Sequence, residues 1–97
     1  MNNLLLETLK TLKANFRSES DILWCSTSIG WFSWKEFVEL ADINFNKIGA
    51  LINPDLQIVG KDFIMYWTNN DNDQEWWFTS ILPDKPETYH KPKSLLI

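Results

Sequence analysis

Ninety-seven residues, 44% of them hydrophobic and 23% charged, set the scale of one small globular domain with a modest core. A formal net charge of -4 argues against a generic nucleic-acid or anionic-membrane binder, since both need clustered Lys and Arg. The single cysteine, Cys25, excludes an intrachain disulfide, and with no basic leader, membrane-length apolar run or glycosylation sequon in view the expected location is the cytoplasm.

Residues 2–16, NNLLLETLKTLKANF, read as an amphipathic helix with Leu5, Leu9, Leu12 and Phe16 on one stripe. Asn2 or Asn3 can cap it, and Glu7 near the start with Lys10, Lys13 and Arg17 near the end suit the helix dipole. SESD at 18–21 is a polar break, and ILWCSTS at 22–28 reads as a strand whose apolar opening fits an interior sheet position. The clearest local signal follows in FSWKEF. Ser33 and Glu36 form a capping box, Phe32 and Phe37 the matching hydrophobic staple. A second helix therefore starts at Trp34 and runs to about Ala41 or Asn44, with Trp34, Phe37, Val38 and Ala41 facing inward. Residues 44–55 lack a period. Gly49 and the turn at 53–55 mark a loop there, tucked onto the body by Phe45, Ile48, Leu51 and Ile52.

From Leu56 the pattern becomes that of a meander. LQIV-GK-DFIM has the form of a two-residue hairpin with Gly60 first in a type II′ turn, setting Val59 opposite Asp62 and Ile58 opposite Phe63. A turn over NDND (70–73) sets Trp67 opposite Trp76 and Met65 opposite Phe78. Side-chain alternation then sorts residues 56–82 into two faces. Leu56, Ile58, Phe63, Met65, Trp67, Trp76, Phe78 and Leu82 form an apolar face, with Ser80 its polar member. Gln57, Val59, Ile64, Tyr66, Thr68, Glu75, Trp77, Thr79 and Ile81 form a mixed one. The apolar face is expected beneath the two helices. The mixed face is expected to stay open unless the loop or the tail folds across it. PDKPETYHKPKSLLI (83–97), with three prolines, is expected to be extended or partly disordered, with an apolar end, SLLI, able to dock.

Few chemistries fit this inventory. One Cys and one His, Cys25 and His90, cannot build the usual zinc site, and a base in a Pro-rich tail is poorly held for a catalytic dyad. Asp71, Asp73 and Glu75 have EF-hand-like spacing, but Trp76 and Leu82 stand where that loop needs Gly and Glu, so a solvated hairpin tip is the better reading. Glu39 and Asp42 read as a solvated helix face, and no phosphate-binding or nucleophile-elbow motif occurs. No cofactor or metal is called for. Tyr66 and Trp77 could stack bases, yet Lys61 is the only basic residue between 56 and 82, which disfavours single-stranded nucleic acid.

In size, acidity and lack of catalytic residues the chain resembles the small inhibitory or immunity proteins of bacteria and phages, a likeness of composition that carries over no residue. The sequence thus leads to a two-layer α+β fold, with a mostly antiparallel sheet of about four strands and two helices packed on one face. The domain spans 1–82, with 83–97 as a tail. The expected function is non-catalytic protein binding through Tyr66, Trp77, Ile64, Val59 and Ile81, rimmed by Asp71, Asp73 and Glu75. A homodimer closed by the same face is the alternative.

Overall fold

The computed structural model describes residues 2–45, 51–70 and 73–97. The expected loop positions Ile48 and Gly49, and Asp71 and Asn72 at the hairpin tip, lie outside them. In chain order the elements are β1 (Asn2–Asn3), α1 (Leu4–Ala14), a short 3-10 turn (Glu19–Asp21), β2 (Ile22–Ser26), β3 (Trp31–Phe32), α2 (Trp34–Ala41), β4 (Asn44–Phe45), β5 (Gln57–Gly60), β6 (Ile64–Asn70) and β7 (Asp73–Thr79). The class is α+β. The sheet has five strands in the order β3-β2-β5-β6-β7, all antiparallel, and β1 pairs with β4 in a separate two-stranded piece. The strand count exceeds the four expected because β1, β3 and β4 are two residues each, too short to show a period.

Both helices begin where their caps require. The Asn3 side chain accepts the Leu6 N–H at the start of α1. Ser33 Oγ accepts the Glu36 N–H while Glu36 returns its carboxylate to the Ser33 N–H, the reciprocal pair that stops α2 from fraying. The inner stripe of α1 differs from the expected one. Leu4, Thr8 and Leu12 are buried, with Leu5 and Leu9 at the flank. Phe16 lies beyond the helix and is 92% exposed, with a left-handed φ of 58°. It stands at the position after the C-cap where glycine is preferred. Arg17 N–H bonds back to Leu12 O and Phe16 N–H to Lys13 O, closing a Schellman turn.

The core lies between the helices and one sheet face. Leu56, Ile58, Phe63, Met65, Trp67 and Trp76 line it with Phe78 at the flank, and Leu12, Phe37 and Ala41 come down from the helices. Trp67 sits edge-on to Trp76 at 5.1 Å and to Phe45 at 5.3 Å. The polar ends of these indoles are satisfied inside: Trp76 Nε1 donates to Thr8 Oγ1 at 2.8 Å, and Trp67 Nε1 to the wholly buried Gln74. Gln74 also accepts the Ile52 N–H at 2.8 Å, which ties the loop to β7. Phe63 and Phe78 stack at 5.1 Å, and the Arg17 guanidinium lies 5.8 Å from each ring while gripping Asp62 in the neighbouring turn.

Register at the second hairpin is as expected, with Trp67 opposite Trp76 and Met65 opposite Phe78. At the first hairpin it is not. Lys61 and Asp62 form the turn, so Val59 faces Ile64 and Ile58 faces Met65. Gly60 serves close approach instead. A Cβ there would sit 2.0 Å from the Phe63 ring, which occupies that space. The pairing is displaced by two residues, an even number, so every side chain keeps its expected face.

Candidate functional site

The sheet face turned away from the helices is organised in cross-strand rows. One row crosses all five strands as Trp31, Ser26, Gln57, Tyr66 and Trp77. Its neighbour is Trp24, Val59, Ile64 and Thr79. Access separates the rows. Trp24, Val59 and Ile64 are buried with Trp31 packed against them, whereas Tyr66 is half-buried and Trp77 is 48% exposed. Val59 at 2% and Ile64 at 5% exposure are therefore removed from the expected contact surface. Sequence alternation placed them on the right face, but it could not show that β2 would bring Trp24 beside them.

The C-terminal segment also changes this face. The chain leaves β7 at one sheet edge and meets β3 at the other. On the way Lys85 Nζ rests 3.8 Å from the centre of the Trp31 ring. Trp31 N–H then donates to Thr88 O at 2.9 Å, and His90 N–H donates to Trp31 O at 2.8 Å. Gly30 permits this passage, since a Cβ would fall 2.4 Å from Thr88 O. Tyr89 packs edge-on against Trp31 at 5.1 Å and donates a hydrogen bond from its hydroxyl to the Glu36 carboxylate, while Lys91 pairs with Glu39 at 3.1 Å. The Tyr89 bond, then the Ser33 N–H, hold Glu36 below the usual carboxylate range, and the same bond raises the Tyr89 phenol. Leu95 finally enters the core with no exposed surface, and Leu96 bridges to Ile52. The segment after 82 is extended, as its prolines require, and it is anchored along its length.

The expected site residues can now be placed. Tyr66 and Trp77 are cross-strand partners with rings 6.0 Å apart. Trp77 Nε1 donates to Glu75 at 3.0 Å, so Glu75 orients the indole as well as charging the rim. Asp73 caps its own strand through the Gln74 N–H. Ile81 is 78% exposed, but it follows the end of β7 at Thr79 and is a feature of the exit segment, not of the sheet. Leu82, expected in the core, is 48% exposed for the same reason. Asp71 lies outside the described residues.

Beside Tyr66 the face sinks into a cleft of about 270 Å³. Ser26, Gln57 and Tyr66 line it from the sheet. Thr27 and Ser28 close one side, Pro54 and Asp55 contribute from the turn before β5, and Asp84 and Pro86 contribute from the crossing segment. Sequence reasoning missed all of these as a site except Tyr66. The only available signal was Gln57 on the mixed face, because the partner strand of β5 was not legible.

Among the described residues no three His, Cys, Asp or Glu side chains gather as a metal-ligand group, and no helix is long and apolar enough to cross a membrane. Cys25 is sealed in the core, where burial pushes its thiol pKa up, and His90 is exposed. Comparison with family models, with curated proteins and with solved structures finds no match, so the geometry alone carries the functional reading.

Proposed function

We propose that the chain is a non-catalytic protein-binding module that docks its partner on the sheet face opposite the helices. The observation that carries this reading is Trp77. A tryptophan that is 48% exposed, set beside Tyr66 and oriented by Glu75, is the kind of amphipathic anchor that dominates interface energetics. Ile81 and Leu82 extend the exposed apolar surface along the segment leaving the same strand. The net charge of -4 favours a partner with a basic surface, by steering and by complementarity. Occupying and blocking an enzyme or toxin is the plainest job for such a molecule.

The test compares wild type, Trp77→Ala and Leu6→Ala, the last removing an exposed apolar side chain from α1. A partner captured by wild type and by Leu6→Ala, and lost by Trp77→Ala, supports the reading. Capture that is indifferent to Trp77 refutes it. A second reading is self-association. It is favoured by β7, which ends the sheet order with seven residues and carries Trp77. A mass by light scattering that stays monomeric at all concentrations rules it out.

A further inference from the structure

The cleft beside Tyr66 has the chemistry of a receptor for a cation. Ser26 is only 4% exposed, yet its hydroxyl has no hydrogen-bond partner among the described residues, and it lines the cleft. Every sealed side-chain polar atom among the described residues does have a partner, so an unpartnered group at this depth is one that opens to the cleft. Gln57 and Tyr66, its neighbours in the row, likewise make no side-chain hydrogen bond to a described residue. The formally charged groups lining the cleft are both negative, Asp55 and Asp84. Neither is in an ion pair among the described residues, and Lys85, adjacent in sequence, is laid on the Trp31 ring. Residues bearing hydroxyl, amide and carboxylate oxygens thus share one cleft whose lining holds no basic residue, and Tyr66 contributes to its wall.

The cleft, about 270 Å³, has room for one side-chain head, and no third carboxylate, His or Cys joins the two aspartates as a metal group among the described residues. We propose that this cleft receives the charged head of a basic side chain, arginine or lysine, presented by the docked partner. The inference rests on the protein-binding reading above and names the part of the partner that enters. Asp55 and Asp84 hold the charge, Ser26 and Gln57 accept its N–H groups, and Tyr66 covers its apolar stem.

The test uses the whole chain, labelled with nitrogen-15, and three small probes in backbone amide titrations: the N-acetyl amides of arginine, lysine and citrulline. Citrulline has the shape of arginine without the charge. Saturable shifts at residues 26–28, 55–57, 66 and 84–86 are expected with the two cationic probes and not with citrulline. Asp55→Asn combined with Asp84→Asn should weaken cation binding about tenfold or more, the size of losing one charge-assisted hydrogen bond. Both carboxylates are exposed, so the fold should survive, and the comparison of charged with neutral probe on wild type decides the matter even if it does not. Failure of the two readings is distinguishable: charge-selective probe shifts with partner capture indifferent to Trp77→Ala would sink the docking reading alone, and capture lost in Trp77→Ala without such shifts would sink this inference alone. Citrulline binding as tightly as arginine, or the absence of any saturable shift at these residues, would overturn the proposal.

Discussion

Replacing Leu95 by alanine tests whether the last residues belong to the fold. Leu95 is wholly buried in the main core, two residues from the chain end. The segment's other side-chain anchors are weak by comparison. The Lys91–Glu39 pair has side chains 42% and 53% exposed, and pairs of that kind contribute about 0–1 kcal/mol. Burial of a leucine is worth about 1.5–3 kcal/mol in transfer alone, and the cavity left by truncation brings the cost of Leu→Ala to roughly 2–5 kcal/mol. A loss of about 3 kcal/mol lowers the melting temperature of a domain this size by roughly 12–24 °C. Urea titration followed by tryptophan fluorescence measures it, with a midpoint shift of roughly 2 M for a slope near 1.5 kcal/mol per M. Ile97→Ala, which trims a side chain 68% exposed, is the control and should stay within about 0.5 kcal/mol of wild type. Equal stability of the two variants would show that Leu95 is not part of the core.

Trp67→Ala should cost about 3–5 kcal/mol, because it opens the core and removes one of the two donors to Gln74 Oε1, whereas Trp77→Ala should leave the fold within about 1 kcal/mol of wild type; thermal melts of the pair decide it, and the reverse order would invert the sheet. Phe16→Gly should stabilise the chain by about 1 kcal/mol, since it relieves a left-handed φ while deleting a side chain that touches little; a lower melting temperature would contradict this. The Tyr89–Glu36 clip should work only over a window of pH. Glu36 is depressed below its ordinary 4.5, so its contribution is present above that value and is lost as pH falls through the lower folded one. Tyr89 is raised above its ordinary 10.0, so its contribution is present below that value and is lost as pH climbs through the higher folded one. The stability difference between wild type and Tyr89→Phe should therefore shrink at both extremes, and a difference independent of pH would show that the clip is not a titrating contact.

Local signals were legible wherever a few adjacent residues set the outcome. Ser33 and Glu36 announce α2, and the alternation from Leu56 to Thr79 sorts both sheet faces even though the Gly60 turn is displaced, because a shift of two preserves phase. Partners distant in sequence were not legible. Nothing in ILWCSTS reveals that Trp24 and Ser26 will lie beside Val59 and Gln57, yet that pairing seals one row and builds the floor of the cleft. The anchoring of the tail was equally hidden. It depends on Gly30 clearing a path, on Tyr89 finding Glu36 and on Leu95 reaching the core, three contacts between residues far apart in the chain. Of the residues expected at a contact surface, Trp77 is exposed beside Tyr66 and Glu75 while Val59 and Ile64 are buried, and Ser26, Gln57, Asp55 and Asp84 line the cleft beside Tyr66.

The two sides of the sheet have opposite characters, one covered by the helices and one left partly open at Tyr66 and Trp77. The indole N–H signals of the six tryptophans, recorded with and without a soluble paramagnetic agent and assigned by single Trp→Phe variants, test this most directly. The Trp67 and Trp76 signals should keep their intensity, shielded by the core and by their bonds to Gln74 and Thr8, while the Trp77 signal broadens away. A shielded Trp77 together with a broadened Trp67 or Trp76 would contradict the account.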